Sequence, residues 1–137
     1  MMVEPAILED LRAGGLKAVE GLVGLRNLAL VCLPMLAMCD RRDLSGIVES
    51  SNTGRPTAFL YDRFLGGLGF AEKGYALIGD LLEMCRRLVA ECECESGCPS
   101  CVGLANLRPP IHQDPDLTCG YAIPSKEATM ALLDRLV

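Results

Sequence analysis

Apolar residues recur at helical spacing along most of the chain, and four stretches carry the pattern. The pattern predicts helices over residues 5–13, 16–38, 70–90 and 126–136. Pro5 lies near the start of the first helix, and Ser125 is placed to cap the last one. The second helix is the most apolar, so we expect it to form the centre of the core. Pro34 inside it should kink or restart it, because proline removes a backbone hydrogen bond.

Two short segments depart from the helical pattern. Residues 44–49 and 57–62 contain β-branched and aromatic residues, and turn-forming residues fill positions 50–56 between them. They predict two strands paired as an antiparallel hairpin. A lone hairpin is only marginally stable in water, so it should pack on the helices. The expected fold class is therefore α+β, mostly helical with a small antiparallel sheet.

Length and composition limit the range of functions. The chain has 137 residues and half of them are apolar, which is enough for one domain with a single core. The balance of 18 acidic against 13 basic residues argues against a basic nucleic-acid module acting alone, although it leaves room for local basic patches. Residues 1–14 lack the pattern of a signal peptide, and the uncharged run at 27–39 is shorter than the roughly 20 residues of a membrane span. We expect a cytoplasmic protein with no membrane partner.

Four cysteines crowd into residues 91–103, Glu-Cys-Glu-Cys-Glu-Ser-Gly-Cys-Pro-Ser-Cys-Val-Gly. Cys92 and Cys94 are two residues apart, so on an extended segment they point to the same side. Cys98 and Cys101 have the two-residue spacing that structural zinc sites use. The four thiolates predict a structural zinc site without an open position for a reacting water.

Other uses of these cysteines remain open. A disulfide framework would require an oxidising compartment, and a thioredoxin-like pair should open a helix in a βαβ unit. An iron–sulfur cluster also takes four thiolates, and spacing does not separate it from zinc. Because the single-residue spacer between Cys92 and Cys94 is uncommon, Cys85, His112 or Cys119 could act as a reserve ligand.

Arg41 and Arg42 follow the second predicted helix. Cations at that position meet the negative end of the helix dipole, so a capped and solvated helix end is one interpretation. Contact with nucleic acid or with a partner domain is the other. The sequence contains no Ser/His/Asp or Cys/His catalytic set and no nucleotide-binding motif. We therefore expect no enzymatic activity and no small-molecule substrate for this chain alone.

The chain contains four motifs that occur in the same order in a known family. They are LPMLAMCDRRD at 33–43, TGRPTAFLYD at 53–62, GGLGFAE at 66–72 and CECESGCPSCV at 92–102. In these motifs the chain resembles the MrfA-type zinc-binding domain. That family occurs mainly as the C-terminal domain of superfamily 2 DEAD/DEAH-box helicases implicated in DNA repair, and related domains occur in phage-defence helicases.

The resemblance implies a non-catalytic accessory domain whose four cysteines bind zinc. The helicase ATPase lobes would lie elsewhere, in cis or in trans, with DNA as a further partner. Arg26-Asn27 stand where relatives tend to carry Glu-His. Two rival functions are a free-standing protein-interaction adaptor built on the zinc loop and an iron–sulfur redox element. The expected organisation is one domain over 1–137, with a helical lead at 1–15, a core at 16–103 that includes the zinc loop at 91–103, a loop at 104–124 and a C-terminal helix at 125–137.

Overall fold

The computed structural model describes residues 4–49, 57–62, 69–103 and 123–137. These segments form five α-helices, one short 3₁₀ turn and one two-stranded sheet, which confirms the predicted α+β class. In chain order the elements are α1 (Pro5–Ala13), α2 (Ala18–Ala37), a 3₁₀ turn (Arg41–Asp43), β1 (Leu44–Glu49), β2 (Thr57–Asp62), α3 (Phe70–Ala76), α4 (Ile78–Glu91) and α5 (Lys126–Leu136).

Helix α2 forms the centre of the fold. It is apolar on all sides, as expected for a helix surrounded by other elements, and it packs against α4, α5 and both strands. Two glycines on α2 allow α5 to approach closely. A methyl group on Gly21 would lie 3.0 Å from the carbonyl oxygen of Ala128, and one on Gly24 would overlap the hydroxyl of Thr129.

The length and apolarity of α2 would also allow it to cross a membrane. In this fold, however, 72% of its most apolar window is buried inside the protein. Among the described residues α2 is the one helix that has this length and composition. Its burial is that of a core helix.

The course of α2 around Pro34 differs in part from expectation. The helix passes through Pro34 without a restart and ends at Ala37. Met38 then adopts a left-handed conformation with φ 57° and ψ 44°, and the N–H of Cys39 donates to the carbonyl of Pro34 at 3.1 Å. The proline therefore lies in the last turn of the helix, so only three helical residues follow the position where its missing N–H removes a hydrogen bond.

The predicted hairpin is confirmed with the predicted strand bounds. Strands β1 and β2 are antiparallel, with Leu44 opposite Asp62 at one end and Glu49 opposite Thr57 at the other. Both strands contact α2, so one face of the sheet is covered by the core helix. The connection at 50–56 lies outside the described residues.

The single helix predicted over 70–90 is wrong, because the structure divides it into α3 and α4 at Leu77. Leu77 has φ −105° and ψ 23°, outside the regular helix values. Helix α3 packs on α2 and β2, and Gly74 lies against the side chain of Leu33. Helix α4 packs instead between α2 and α5. The break at Leu77 lets the two parts of one apolar stripe pack on different surfaces.

The last helix begins as predicted. The Ser125 side chain accepts a hydrogen bond from the N–H of Ala128 at 3.2 Å, which caps α5. Further along α5, Leu132 and Leu133 are fully buried in the core. The start of α5 also lies beside the cysteine cluster.

Candidate metal centre

The four predicted cysteines converge on one point. Their Sγ atoms all lie within 4.8 Å of one another. The closest separations are 3.5 Å for Cys92–Cys94, 3.5 Å for Cys92–Cys98, 3.4 Å for Cys94–Cys101 and 3.6 Å for Cys98–Cys101. All four are free cysteines.

This arrangement fits a single tetrahedral ion. Sulfurs bound about 2.3 Å from one zinc lie about 3.8 Å apart, close to the separations of 3.4–3.6 Å in this cluster. A multinuclear iron–sulfur cluster binds its thiolates through different irons, which holds the sulfurs further apart. The donor set and spacing therefore favour one thiophilic ion over a multinuclear cluster.

The local chain conformation explains how the first two cysteines converge. Helix α4 ends at Glu91, and Cys92 is extended with φ −72° and ψ 131°. Side chains two residues apart on an extended segment share a face, so Cys92 and Cys94 point to the same side. The end of α4 thus provides one half of the site.

The second half is a tight turn that follows Gly97. Gly97 has φ 127°, a conformation that residues with a Cβ rarely adopt. A Cβ at this position would lie 2.8 Å from the carbonyl oxygen of Pro124, 3.1 Å from Val102 and 3.4 Å from Ile123. The N–H of Cys101 then donates to the carbonyl of Cys98 at 3.2 Å, which closes the turn.

The thiols of the cluster differ in acidity. Hydrogen bonding with the Cys92 thiol lowers the pKa of Cys98 to about 6. Burial raises the pKa of Cys101 to about 12, because its side chain is the most enclosed of the four. Glu91, Glu93 and Glu95 are exposed around the loop. The surface of the site is therefore acidic and disfavours contact with a phosphate backbone.

Lys126, the first residue of α5, was not predicted to belong to the site. Its Nζ donates hydrogen bonds of 2.7 Å to the carbonyl oxygens of both Cys92 and Cys94. Its backbone N–H donates to the carbonyl of Ser96 at 3.1 Å. The residue is only 7% exposed. No local pattern signals these contacts, because the carbonyl partners lie 34 and 32 residues earlier in the chain.

Asn27 also contacts the cluster region without having been predicted as a site residue. It lies on α2, and a Cβ on Gly103 would lie 2.7 Å from its Nδ2 atom. Arg26 donates to Asn27 Oδ1 from Nε at 3.2 Å and from Nη2 at 2.8 Å. The loop is thus bordered by α2 on one side and by α5 on the other.

The reserve ligands are not part of the cluster that the structure describes. Cys119 and His112 lie outside the described residues. Cys85 lies in α4, fully buried in the core, and hydrogen bonding with Cys32 together with burial raises its pKa. It therefore acts as a core residue.

Arg41 and Arg42 lie in the exposed turn after α2. Arg42 pairs with Asp40 at 3.0 Å, and the Arg42 side chain lowers the pKa of Asp40 to about 2. Arg41 Nη1 donates to the carbonyl of Leu44 at 3.1 Å. The end of α2 is roughly 15 Å along the helix axis from Asn27, so the arginines and the metal cluster are separate sites.

These features define a small zinc-binding domain of a known class. The chain belongs to the family of MrfA Zn-binding domains, whose family model matches residues 25–102.

Individual relatives are helicases. The chain is 39% identical over 92 residues to the uncharacterized ATP-dependent helicase YprA of Bacillus subtilis (strain 168), and the match covers 65% of this chain. It is also similar to a crystal structure of the DUF1998 helicase MrfA bound to DNA, with a TM-score of 0.68, 32% identity and 88% of this chain covered. A second MrfA structure, bound to DNA and AMPPNP, gives a TM-score of 0.63 at 33% identity over 83% of this chain. The chain spans only 12% of the length of YprA and 15% and 14% of the two MrfA chains.

Proposed function

We propose that Cys92, Cys94, Cys98 and Cys101 hold one zinc ion, and that the resulting unit is a non-catalytic accessory domain of an ATP-dependent DEAD/DEAH-box DNA helicase. The observation that carries the proposal is the convergence of four free thiols within 4.8 Å of one another. Bound zinc would supply a cross-link between the end of α4 and the turn before α5. With all four positions taken by thiolates, no place would remain for a reacting water.

The proposed context is a motor protein acting on DNA. It is supported by the likeness to YprA, an ATP-dependent helicase, and to MrfA in structures bound to DNA. The ATPase lobes would act in cis or in trans, and the resemblance suggests DNA repair or phage defence as the process. The cluster of free thiols suits the reducing cytoplasm, which we propose as the location.

The proposed contact to DNA or to the motor lies at the turn with Arg41 and Arg42. Both side chains are exposed, and they are separated from the acidic glutamates of the zinc loop. Asp40 offsets part of their charge through its pair with Arg42. Because part of their charge is offset, the two arginines would orient a partner whose main contacts lie on other surfaces of this domain.

Metal analysis tests the zinc site directly. Protein purified without chelator should contain about one zinc per chain, and Cys94→Ser should lose most of it. Cys39→Ser is the matched control, because Cys39 is half-buried and lies outside the cluster. Iron with visible absorbance would favour the redox alternative, and absence of any metal would overturn the proposal.

A binding experiment tests the helicase role. The chain, alone and joined to ATPase lobes of a YprA-type helicase, should be titrated with DNA over a range of salt concentrations. Salt-dependent binding that weakens in an Arg41→Gln, Arg42→Gln double variant supports the DNA contact. The adaptor function would be favoured instead by two results together: a stable complex of the chain with other proteins, and no change in DNA binding on the double substitution, whether the chain is alone or joined to the ATPase lobes.

A further inference from the structure

We infer that Lys126 is the positioning residue of the metal centre. It would hold the cysteine segment in the conformation that binds the metal, and its positive charge would offset the negative charge of the loaded site. The inference rests on the proposed zinc site. It adds a residue from α5 to a site whose ligands all come from the segment after α4. The geometry and the charge of the site support it separately.

The geometry concerns the carbonyl edge of the first two cysteines. On an extended segment, residues two apart direct their carbonyl groups to the same edge, while their side chains share a face. Lys126 Nζ donates at 2.7 Å to the carbonyls of both Cys92 and Cys94. The two oxygens are therefore at most about 5.4 Å apart, twice the bond length, whereas such carbonyls lie roughly 6.6 Å apart on a fully extended segment, so the backbone from Cys92 to Cys94 curves around the Lys126 ammonium group. The lysine thus selects the conformation in which the two thiols converge, which explains how the uncommon single-residue spacer is used.

The charge argument concerns what offsets a buried ammonium group. Lys126 is 7% exposed, and burying a cation is costly unless it is paired or hydrogen-bonded. Two neutral carbonyls compensate only part of that cost. Four thiolates on a divalent ion would carry a formal charge of about −2, which would provide the remaining compensation. The bound metal would therefore lower the cost of burying the lysine, and the buried lysine would strengthen binding of the metal.

This contact also links the metal to the docking of α5. Lys126 begins α5, and its backbone N–H donates to Ser96 inside the loop. The same first turn of α5 places Ala128 and Thr129 against the glycines of α2. Loading of the cluster should therefore stabilise the packing of α5 on the core.

The experiment compares the release of zinc from variants of the full 137-residue chain. Lys126→Met removes the charge and the donors but keeps the length of the side chain. Zinc release to a chromogenic chelator should be about 10- to 100-fold faster than in the unchanged chain, if the 10- to 100-fold loss of metal affinity that such substitutions cause appears in the release rate. Lys126→Arg keeps the charge and should recover a large part of the difference. Lys73→Met, an exposed lysine on α3, should release zinc at the original rate.

A spectroscopic measurement separates positioning from general stability. Cobalt(II) substituted for zinc reports the ligand geometry through its visible bands, and these bands should shift in Lys126→Met but not in Lys73→Met. If Lys126→Met does not fold, Lys126→Gln and Lys126→Arg provide the comparison, with faster release expected for Gln. Equal release rates and unchanged cobalt bands across the Lys126 variants would overturn the inference. An unchanged chain that holds no zinc would instead overturn the proposed function on which the inference depends.

Discussion

The side chain of Asn27, in the middle of α2, donates a 2.8 Å hydrogen bond to the carbonyl of Val102, 75 residues further along the chain. Val102 directly follows Cys101, so this bond attaches the cysteine turn to the core helix. Arg26 donates to the same amide and is itself only 6% exposed. The three groups form a polar bridge at the edge of the hydrophobic core.

Replacing Asn27 by Ala should destabilise the protein by about 1–3 kcal/mol, because the Val102 carbonyl loses a donor and Arg26 loses an acceptor. Denaturant unfolding of the zinc-loaded protein measures the change. Ser100→Ala, an exposed position in the same loop, should change stability by less than about 0.5 kcal/mol. Equal effects of the two substitutions would show that the bridge adds no stability.

Removal of the metal should lower thermal stability markedly. Structural zinc sites contribute several kcal/mol to folding, so excess chelator should lower the midpoint of thermal unfolding by at least about 10 °C. Cys39→Ser should show the same response, since Cys39 does not belong to the cluster. A variant with Ser at all four cluster positions should show no response to chelator, and a response there would point to a different site.

Two glycine substitutions should have opposite signs. Gly24→Ala should destabilise by about 1–3 kcal/mol, because the new methyl group overlaps the buried hydroxyl of Thr129 on α5. Gly79→Ala on α4 meets no atom within 4 Å and should stabilise by about 0.5–1 kcal/mol through the higher helix propensity of alanine. Urea unfolding of both variants checks the pair. Destabilisation by Gly79→Ala would show that α4 needs a glycine there for another reason.

The ion pair between Arg86 on α4 and Asp134 on α5 should contribute little. The two groups are 2.8 Å apart, but their side chains are 48% and 53% exposed, so water and salt screen the attraction. A double-mutant cycle with Arg86→Ala and Asp134→Ala should give a coupling energy below about 1 kcal/mol. A larger coupling that survives high salt would show that this contact helps to hold α4 and α5 together.

The parts of the fold that sequence predicted well are those set by local chemistry. The turn residues between the strands fixed the bounds of both strands, and Ser125 marks the start of α5 because a cap depends on residues only three positions apart. The four clustered cysteines are likewise close in sequence. Each of these features could be recognised without knowing the rest of the fold.

The parts that sequence did not predict depend on distant contacts. Nothing in the apolar period around Leu77 indicates a break, which follows from α3 and α4 packing on different partners. Lys126 reads as an ordinary first residue of a helix, and Asn27 as a polar residue on a core helix. Their partners are 34 and 75 residues away, so only the assembled fold identifies their contacts.

The close approach of Val102 and Ile123 to Gly97 means that the chain leaves the metal centre and returns to it at nearly the same place. The connection over 104–122 therefore joins two anchored neighbours. A module inserted between residues 104 and 122 would therefore begin and end beside the metal centre, because Val102 and Ile123 both lie next to Gly97.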